Sequence, residues 1–378
     1  MEWVKRWGSF SLFAVGLALL LLAIGLGDSS RRARPSVLGE SFQIASASGG
    51  SSEVRRLSEV RRSMEVRRFR FDYEVDVPAR KAGEGAEVGE MHLFLPVAVD
   101  GPAQRILNLE IESAVSGRVE TESKDGNSFW HAKLPADFVD AFSVRVTYDV
   151  ERRVLRAGAD AGDAREAARF LAADDRVVVG HSVLDPILEE IREATPRAGQ
   201  SERARAIYDW VVDNVEYKKT GTGWGNGDTF WACNERYGNC TDFHSLFISL
   251  ARTEGIPARF EMGFPVPTDR SSGEIAGYHC WVEFWLPEEG WVPIDASEAF
   301  KHPEKRELFY GTHPPDRLHF STGRDLRLGN QHRDRALNYF IYPYAEIGGK
   351  RSRLKMQTRF RYEERAAVQE AKLTALNR

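Results

Sequence analysis

The chain has 378 residues, a formal net charge of −4 and a hydrophobic content of 42%. This length allows about two ordinary domains with cores of their own, and the charge balance excludes nucleic-acid binding driven by an overall basic surface. Three cysteines are too few for a disulfide scaffold of this size.

The N-terminus carries the pattern of an export signal. Lys5 and Arg6 precede an apolar run from Phe10 to Leu26. Residues 1–27 are therefore predicted to be a signal peptide or a membrane anchor, and the run of about 17 residues is at the short limit for crossing a bilayer. The protein is expected to be exported, either released into the periplasm or another extracytoplasmic compartment, or anchored in the inner membrane.

Residues 28–65 are predicted to be a flexible linker, since they are rich in Ser, Gly and Arg and show no apolar period. Glu-Val-Arg-Arg occurs three times, at 53–56, 59–62 and 65–68, and each copy has a net charge of +1. The copies can either contact an anionic surface or serve as plain solvated chain.

The pattern changes to period two in residues 66–155. Apolar side chains occupy alternate positions from Phe69 to Val77, as in a half-buried strand. Similar short segments follow, separated by clusters of turn residues such as Asp100-Gly101-Pro102. The spacing predicts a β-sandwich domain, and we find no catalytic constellation in it.

Residues 156–378 are predicted to be a second domain that carries the chemistry. Helices are predicted near 164–172, from Asp185 and from Ser201, followed by a glycine-rich loop at 221–227. After the site described next, strand patterns recur at 339–347 and 353–362 and are predicted to complete the sheet beside the site. A terminal helix is predicted over 363–376.

Cys240 stands directly at the predicted start of an amphipathic helix. Apolar residues follow at helical spacing, and Gly255-Ile256-Pro257 ends the helix. Unpaired N–H groups and the dipole at a helix N-terminus favour an anion, and can bring a cysteine pKa down to roughly 3.5–7.5. The alternative is a buried thiol that packs like a small apolar residue.

A hairpin further on supplies the partners that a cysteine nucleophile needs. Alternation in 278–286 places Cys280 on the apolar face with Val282, and places His279 and Trp281 on the other. In the strand 291–297, Asp295 falls on the face opposite the core. His279 and Asp295 therefore share one face, offset by two or three residues unless a bulge or longer turn sets them opposite. Such a histidine takes the thiol proton, and the carboxylate orients its ring.

These residues resemble the transglutaminase-like superfamily. The resemblance covers roughly residues 160–300 and is carried by four segments: 238–242 (GNCTD), 255–259 (GIPAR), 279–283 (HCWVE) and 291–295 (WVPID). It implies an α+β chain in which the β-sandwich precedes a papain-like transglutaminase core of helices packed on an antiparallel sheet. It also implies Cys240 as nucleophile, His279 as general base and acid, and Asp295 as the orienting residue, as in exported bacterial members.

Other features of such a site are less determined by the sequence. The backbone N–H of Cys240 is a candidate oxyanion donor, and Trp224 or Trp231 is a candidate for a second, indole donor. Trp281 is a candidate wall of a substrate groove, although tryptophans serve a core equally well. No cofactor or metal is predicted, and calcium activation is not assumed because no acidic ligand cluster follows the core.

Three functions compete at this point. The first is an exported cysteine-dependent acyl-transfer enzyme of amidase, peptidase or transglutaminase type, acting through a thioester on a protein, a peptide or a cell-envelope polymer. The second is a zinc module formed by Cys233, Cys240, His244, His279 and Cys280. The third is a non-catalytic envelope scaffold with the same fold. A disulfide between Cys233 and Cys240 would mask the nucleophile.

Overall fold

The computed structural model describes residues 65–80 and 87–365. The predicted signal segment, nearly all of the linker and most of the predicted terminal helix lie outside the described residues. All described residues belong to one compact unit. Among them, no helix combines the length and the apolar character that a membrane crossing requires.

The first part of the described chain consists of strands and turns. The alternation of apolar residues predicted one buried face on the first strand, and Phe69, Phe71 and Tyr73 on that face are fully buried. The strands are β1 (Val66–Val77), β2 (Met91–Val97), β3 (Gln104–Ser113), β4 (Arg118–Thr121), β5 (Ser128–Leu134), β6 (Phe142–Arg153) and β7 (Leu155–Arg156).

The remainder alternates between helices and strands. The helices are α1 (Ala164–Ala168), α2 (Asp185–Ala194), α3 (Gln200–Asn214), α4 (Thr229–Glu235), α5 (Cys240–Thr253) and α6 (Ala296–Lys301), with short 3-10 turns at Arg169–Leu171, Ser182–Leu184 and Pro303–Lys305. The strands are β8 (Glu216–Tyr217), β9 (Tyr237–Gly238), β10 (Ala258–Pro265), β11 (Ser272–Glu274), β12 (His279–Leu286), β13 (Gly290–Ile294), β14 (Thr312–His313), β15 (Arg317–Thr322), β16 (Tyr344–Ile347), β17 (Lys350–Arg351) and β18 (Gln357–Glu364).

A four-stranded antiparallel sheet, in the order β13-β12-β10-β15, supports the candidate site. Helix α5 packs against β12 and β10, and every residue from Cys240 to Arg252 is buried. The helix therefore forms the centre of the core rather than an amphipathic surface element. Helices packed on an antiparallel sheet confirm the predicted α+β class.

The C-terminal strands correct the sequence prediction. They do not complete the sheet beside the site: β16 pairs with β2, and β18 pairs with β1. The outcome is two five-stranded antiparallel sheets, in the orders β11-β18-β1-β6-β3 and β17-β16-β2-β5-β4. Alternation identifies a strand but not its pairing partner, and the place beside β10 is taken by β15. Glu363 and Glu364, predicted to open a helix, belong to β18.

Gly263 lets β10 lie close to its neighbouring strand β15. A Cβ atom at this position would lie 1.9 Å from the carbonyl oxygen of Leu318 on β15. We expect Gly263→Ala to lower the free energy of unfolding by about 1–3 kcal/mol, since the backbones must move apart. Urea unfolding measures this. Gly101→Ala is the matched control because nothing lies within 4 Å of its Cβ position, and equal losses in the two variants would contradict the prediction.

Candidate active site

Cys240 is the first residue of α5, as the sequence predicts. Asn239 caps the helix: its side-chain oxygen accepts from the backbone N–H of Thr241 at 2.9 Å. Asp242 completes a capping box by accepting from the backbone N–H of Asn239 at 2.9 Å. The thiol thus lies at the positive end of a 14-residue buried helix.

The carboxylate of Asp242 also holds the glycine-rich loop beside this turn. It accepts from the backbone N–H of Gly225 at 2.7 Å and of Gly227 at 3.1 Å. Arg324, itself 1% exposed, donates to the carbonyl of Gly227 at 2.9 Å and to Ser245 Oγ at 2.6 Å. Side chains from two distant segments therefore fix the loop against the N-terminal half of α5.

His279 and Asp295 meet across the predicted hairpin. The paired part of the hairpin ends with Val282 opposite Ile294. Continuing this register sets Trp281 opposite Asp295, and His279 lies two residues along on the same face. This diagonal arrangement needs no bulge. The Nε2 atom of His279 lies 2.6 Å from Asp295 Oδ2, which leaves Nδ1 for Cys240.

Asp295 is held by more partners than the sequence suggested. It caps α6, accepting from the N–H of Glu298 and from Ser297 Oγ, both at 3.0 Å. Arg317 Nη1, on a buried side chain, lies 3.1 Å from Oδ2. Burial alone would raise the pKa of Asp295, but the charge and hydrogen bond of His279 and the charge of Arg317 hold it well below its usual value.

The same contacts act on the imidazole of His279. Burial alone would lower its pKa, whereas the negative charge and hydrogen bond of Asp295, and the neighbouring Cys240, raise the pKa of His279 to about 10. At neutral pH the ring is therefore an imidazolium that donates from both nitrogens. The sequence did not predict the contact of Arg317 with Asp295, because Arg317 lies on β15, which is distant in the chain.

The thiol of Cys240 responds in the opposite direction. A hydrogen bond with Cys280 is the largest influence on it, and a hydrogen bond and positive charge from His279 add to this. Together they hold the pKa of Cys240 well below its usual value, although burial opposes the shift. Both shifts favour a thiolate beside an imidazolium, and the charge of Arg317 balances that of Asp295.

The position of Cys280 requires a correction. Its side chain is in the core, as predicted, but it is not remote from the chemistry. Its Sγ atom lies 3.6 Å from His244 Nδ1 and 3.8 Å from Thr241 Oγ1. The apolar face of β12 is the face that meets α5, so a residue at the beginning of β12 reaches the beginning of the helix.

His244 was predicted only as a ligand of the alternative zinc module, and the structure places it beside the thiol site. Its Nε2 accepts from the backbone N–H of Ala296 at 3.2 Å, so its proton is on Nδ1 and points to Cys280. Burial lowers the pKa of His244 to about 4, which keeps the ring neutral. Helical spacing was the available signal, because His244 stands four residues after Cys240 on one face of α5.

Cys280→Ala tests whether this second thiol stabilises the Cys240 thiolate. We expect the pKa of Cys240 to rise, because a donor to the sulfur is removed, and alkylation of Cys240 by iodoacetamide at about pH 6 to slow about threefold to thirtyfold. The pH profile of the alkylation rate measures the shift. Cys233→Ala is the control: burial raises the pKa of Cys233 to about 11, and an unchanged profile is expected. An unchanged profile in Cys280→Ala would contradict the prediction.

The three candidate tryptophans have different surroundings in the structure. The indole N–H of Trp224 donates to the carbonyl of Gly221 at 3.2 Å, and that of Trp231 to the carbonyl of Tyr237 at 3.0 Å. Trp281 is 1% exposed. The two indole donors are therefore engaged within the chain, and Trp281 belongs to the core because turns of the first part of the chain cover its face of the sheet.

The other candidate sites receive little support. No group of three metal-ligating side chains is arranged to hold an ion within 65–80 and 87–365, which argues against the zinc module. Cys233, Cys240 and Cys280 are all free thiols.

Comparisons with known proteins show which chains this one resembles. Residues 187–296 match the model of the transglutaminase-like superfamily. An uncharacterized protein of Haemophilus influenzae is 25% identical over 321 residues, covering 74% of this chain and 85% of that protein. A protein-glutamine gamma-glutamyltransferase of Pseudomonas aeruginosa is 31% identical over 83 residues, which is 21% of this chain and only 12% of that enzyme.

One solved structure shares the fold over most of the chain. It is described as a "putative cysteine protease" from Cytophaga hutchinsonii, and is 19% identical with a TM-score of 0.50, covering 80% of this chain and 93% of that one. This likeness shows a papain-like fold. The match to the transglutaminase-like superfamily covers residues 187–296, the part of the chain that contains Cys240, His279 and Asp295.

Proposed function

We propose that this protein is a cysteine-dependent acyl-transfer enzyme that acts on amide or peptide bonds. The observation that carries the proposal is the buried pair of His279 and Asp295 at 2.6 Å, beside Cys240, whose pKa the neighbouring Cys280 and His279 hold well below its usual value. The transglutaminase-like match at 187–296 supports it.

In the proposed reaction, the Cys240 thiolate attacks the carbonyl carbon of the amide. The resulting oxyanion faces the helix N-terminus, where the backbone N–H of Cys240 is the candidate donor. His279 gives its Nδ1 proton to the departing nitrogen, the C–N bond breaks, and an amine leaves a thioester behind.

The second half returns the enzyme to its starting state. Neutral His279 takes a proton from an acceptor, which attacks the thioester and releases Cys240 as thiolate. Water as acceptor gives a carboxylic acid, and an amine gives a new amide. Hydrolysis is the favoured outcome because water is the abundant acceptor, and the proposed substrates are proteins, peptides or envelope polymers that the exported chain meets in the periplasm.

Site-resolved alkylation tests the activated thiol without a known substrate. Iodoacetamide at about pH 6 is expected to label Cys240 at least about tenfold faster than a model thiol, which is less than about 1% ionised there. Cys233 is an internal control, since burial raises its pKa to about 11. Labelling of Cys240 no faster than the model thiol contradicts the proposed nucleophile.

A non-catalytic binding role is the second candidate, and one observation favours it. Cys240 is 3% exposed and His279 is 6% exposed, so a substrate carbonyl reaches the sulfur only after side chains move. Tyr278 is one such side chain, since its hydroxyl lies 2.9 Å from Thr241 Oγ1 and 3.1 Å from Asn239 Nδ2. If Cys240→Ala retains the full cellular role of the protein, the scaffold is correct and the enzyme is not.

A further inference from the structure

A second polar site lies on the face of the core sheet that also carries His279. Alternation assigns Arg259 and Glu261 of β10, and Trp281 and Glu283 of β12, to this face. The turns between β2 and β3 and between β4 and β5 cover it, leaving a cavity of about 260 Å³. Both faces of the sheet are thus internal, and this one is rich in charge.

Unpaired polar atoms are concentrated in this cavity. In the described part of the chain, seven buried side-chain nitrogen or oxygen atoms have no hydrogen-bond partner, and four of them belong to its lining. Two are donors, the Nε atoms of Arg152 and Arg259, and two are acceptors, Asp125 Oδ2 and Glu261 Oε1. Arg259 Nε and Glu261 Oε1 approach to 2.9 Å as an ion pair, but they are not aligned for a hydrogen bond.

Arg152 is the clearest case on the donor side. It is 4% exposed, and no carboxylate in the described residues lies within ion-pair distance of it. Burial lowers the pKa of Arg152 to about 10, and the nearby charge of Arg317 contributes to that shift. An unpaired buried guanidinium is costly, and a carboxylate is the group that its planar donors fit best.

The acceptor side has the opposite character. Asp125 uses Oδ1 to bind Arg169, while its Oδ2 has no partner. Glu261 is bound through Oε2 by Thr322 Oγ1 and by His319, both at 2.6 Å. Burial raises the pKa of Asp125 to about 6, so this carboxylate is ionised at neutral pH while its Oδ2 lacks a hydrogen-bond donor.

We propose that the cavity binds a small zwitterion, an α-amino acid or the equivalent end of a short peptide. Its carboxylate pairs with Arg152, and its ammonium group donates to Asp125 and Glu261. A lone anion leaves Asp125 Oδ2 and Glu261 Oε1 without a hydrogen-bond donor, and a lone cation leaves Arg152 Nε without an acceptor. The size of the cavity admits one amino acid, with Trp281 and Phe320 as apolar wall.

This site is distinct from the cysteine site and does not depend on the proposed function. The ring of Trp281 separates the two, with its centroid 6.1 Å from that of His279 and 6.0 Å from that of His319. A ligand that binds here can therefore be detected in a protein whose nucleophile has been removed.

Calorimetric titration of the full-length protein with L-alanine at about pH 7.5 tests the proposal. At that pH the Asp125 carboxylate is ionised. Saturable binding is expected. Propanoate, which lacks the ammonium group, and L-alaninamide, which lacks the carboxylate, are each expected to bind at least about tenfold more weakly, because each leaves buried charge unpaired.

Variants locate the binding. Arg152→Met and Asp125→Asn are each expected to weaken alanine binding at least about tenfold, and thermal unfolding checks that each variant is folded. Arg165→Met, at an exposed arginine of α1, is the matched control. Cys240→Ala is expected to bind alanine like the unmodified protein, so failure of the proposed function leaves this result unchanged.

Three outcomes would overturn the proposal. In the first, alanine shows no saturable binding, which means that the cavity holds only water. In the second, alanine binds the Arg152→Met and Asp125→Asn variants as tightly as the unmodified protein. In the third, Cys240→Ala abolishes binding, which places the ligand at the cysteine.

Discussion

Cys240→Ala is expected to lower the rate of amide cleavage or acyl transfer by about 10⁴-fold or more, because no thioester can form without the sulfur. Removing a nucleophile leaves only the background that positioning and an oxyanion donor supply. The measurement is amine release from a set of peptide and peptide-amide substrates, with mass spectrometry of the trapped thioester in the unmodified enzyme.

Cys233→Ala is the matched control for this change. Cys233 is also a free, largely buried cysteine. Burial raises its pKa to about 11, so it is not an activated thiol. Its removal is expected to leave the rate within about twofold of the unmodified enzyme. A Cys240→Ala variant with an undiminished rate would mean that another group is the nucleophile.

Asp295→Asn is the second change with a large expected effect, a loss of about 10³- to 10⁴-fold in kcat, by analogy with other oriented imidazoles. The charge of Asp295 helps to raise the pKa of His279 to about 10. Without it the pKa of His279 falls, so the imidazolium that stabilises the Cys240 thiolate is depleted at neutral pH. Alkylation of Cys240 at about pH 6 is therefore expected to slow in parallel with catalysis.

A structural explanation of that loss has to be separated from a chemical one. Arg317 is 2% exposed and loses a buried partner at 3.1 Å in this variant, which is expected to cost about 3–5 kcal/mol of unfolding free energy. Urea unfolding shows whether the variant is folded under assay conditions.

Ser297→Ala is the matched control, because it removes one hydrogen bond to Asp295 at 3.0 Å and keeps the charge. A loss of less than about tenfold is expected. Equal losses in Ser297→Ala and Asp295→Asn would contradict the electrostatic role of the carboxylate.

Local sequence patterns predicted the individual elements well. The apolar spacing after Cys240 gave the start of α5, and alternation gave β12 and the shared face of His279 and Asp295. These features depend on interactions within about four residues or across one tight hairpin, which are the distances at which helical and strand periods operate.

The same patterns did not predict contacts between segments that are distant in the chain. They assigned β16 and β18 to the sheet beside the site, whereas these strands pair with β2 and β1. They placed Cys280 away from the chemistry, although its sulfur lies 3.6 Å from His244 Nδ1 and 3.8 Å from Oγ1 of Thr241, the residue after Cys240. A periodic pattern states which face of a strand is apolar, but not which element packs on that face.

The sequence by itself therefore determined the α+β class, the helix that begins at Cys240, and the face on which His279 and Asp295 lie. Only the tertiary structure decided that Arg317 balances Asp295 and that Cys280 and His244 adjoin the thiol. It also decided that Arg152 Nε is buried without a hydrogen-bond partner among the described residues. The physical reason is that burial and charge pairing depend on segments far apart in the chain. Such contacts leave no periodic trace in either segment.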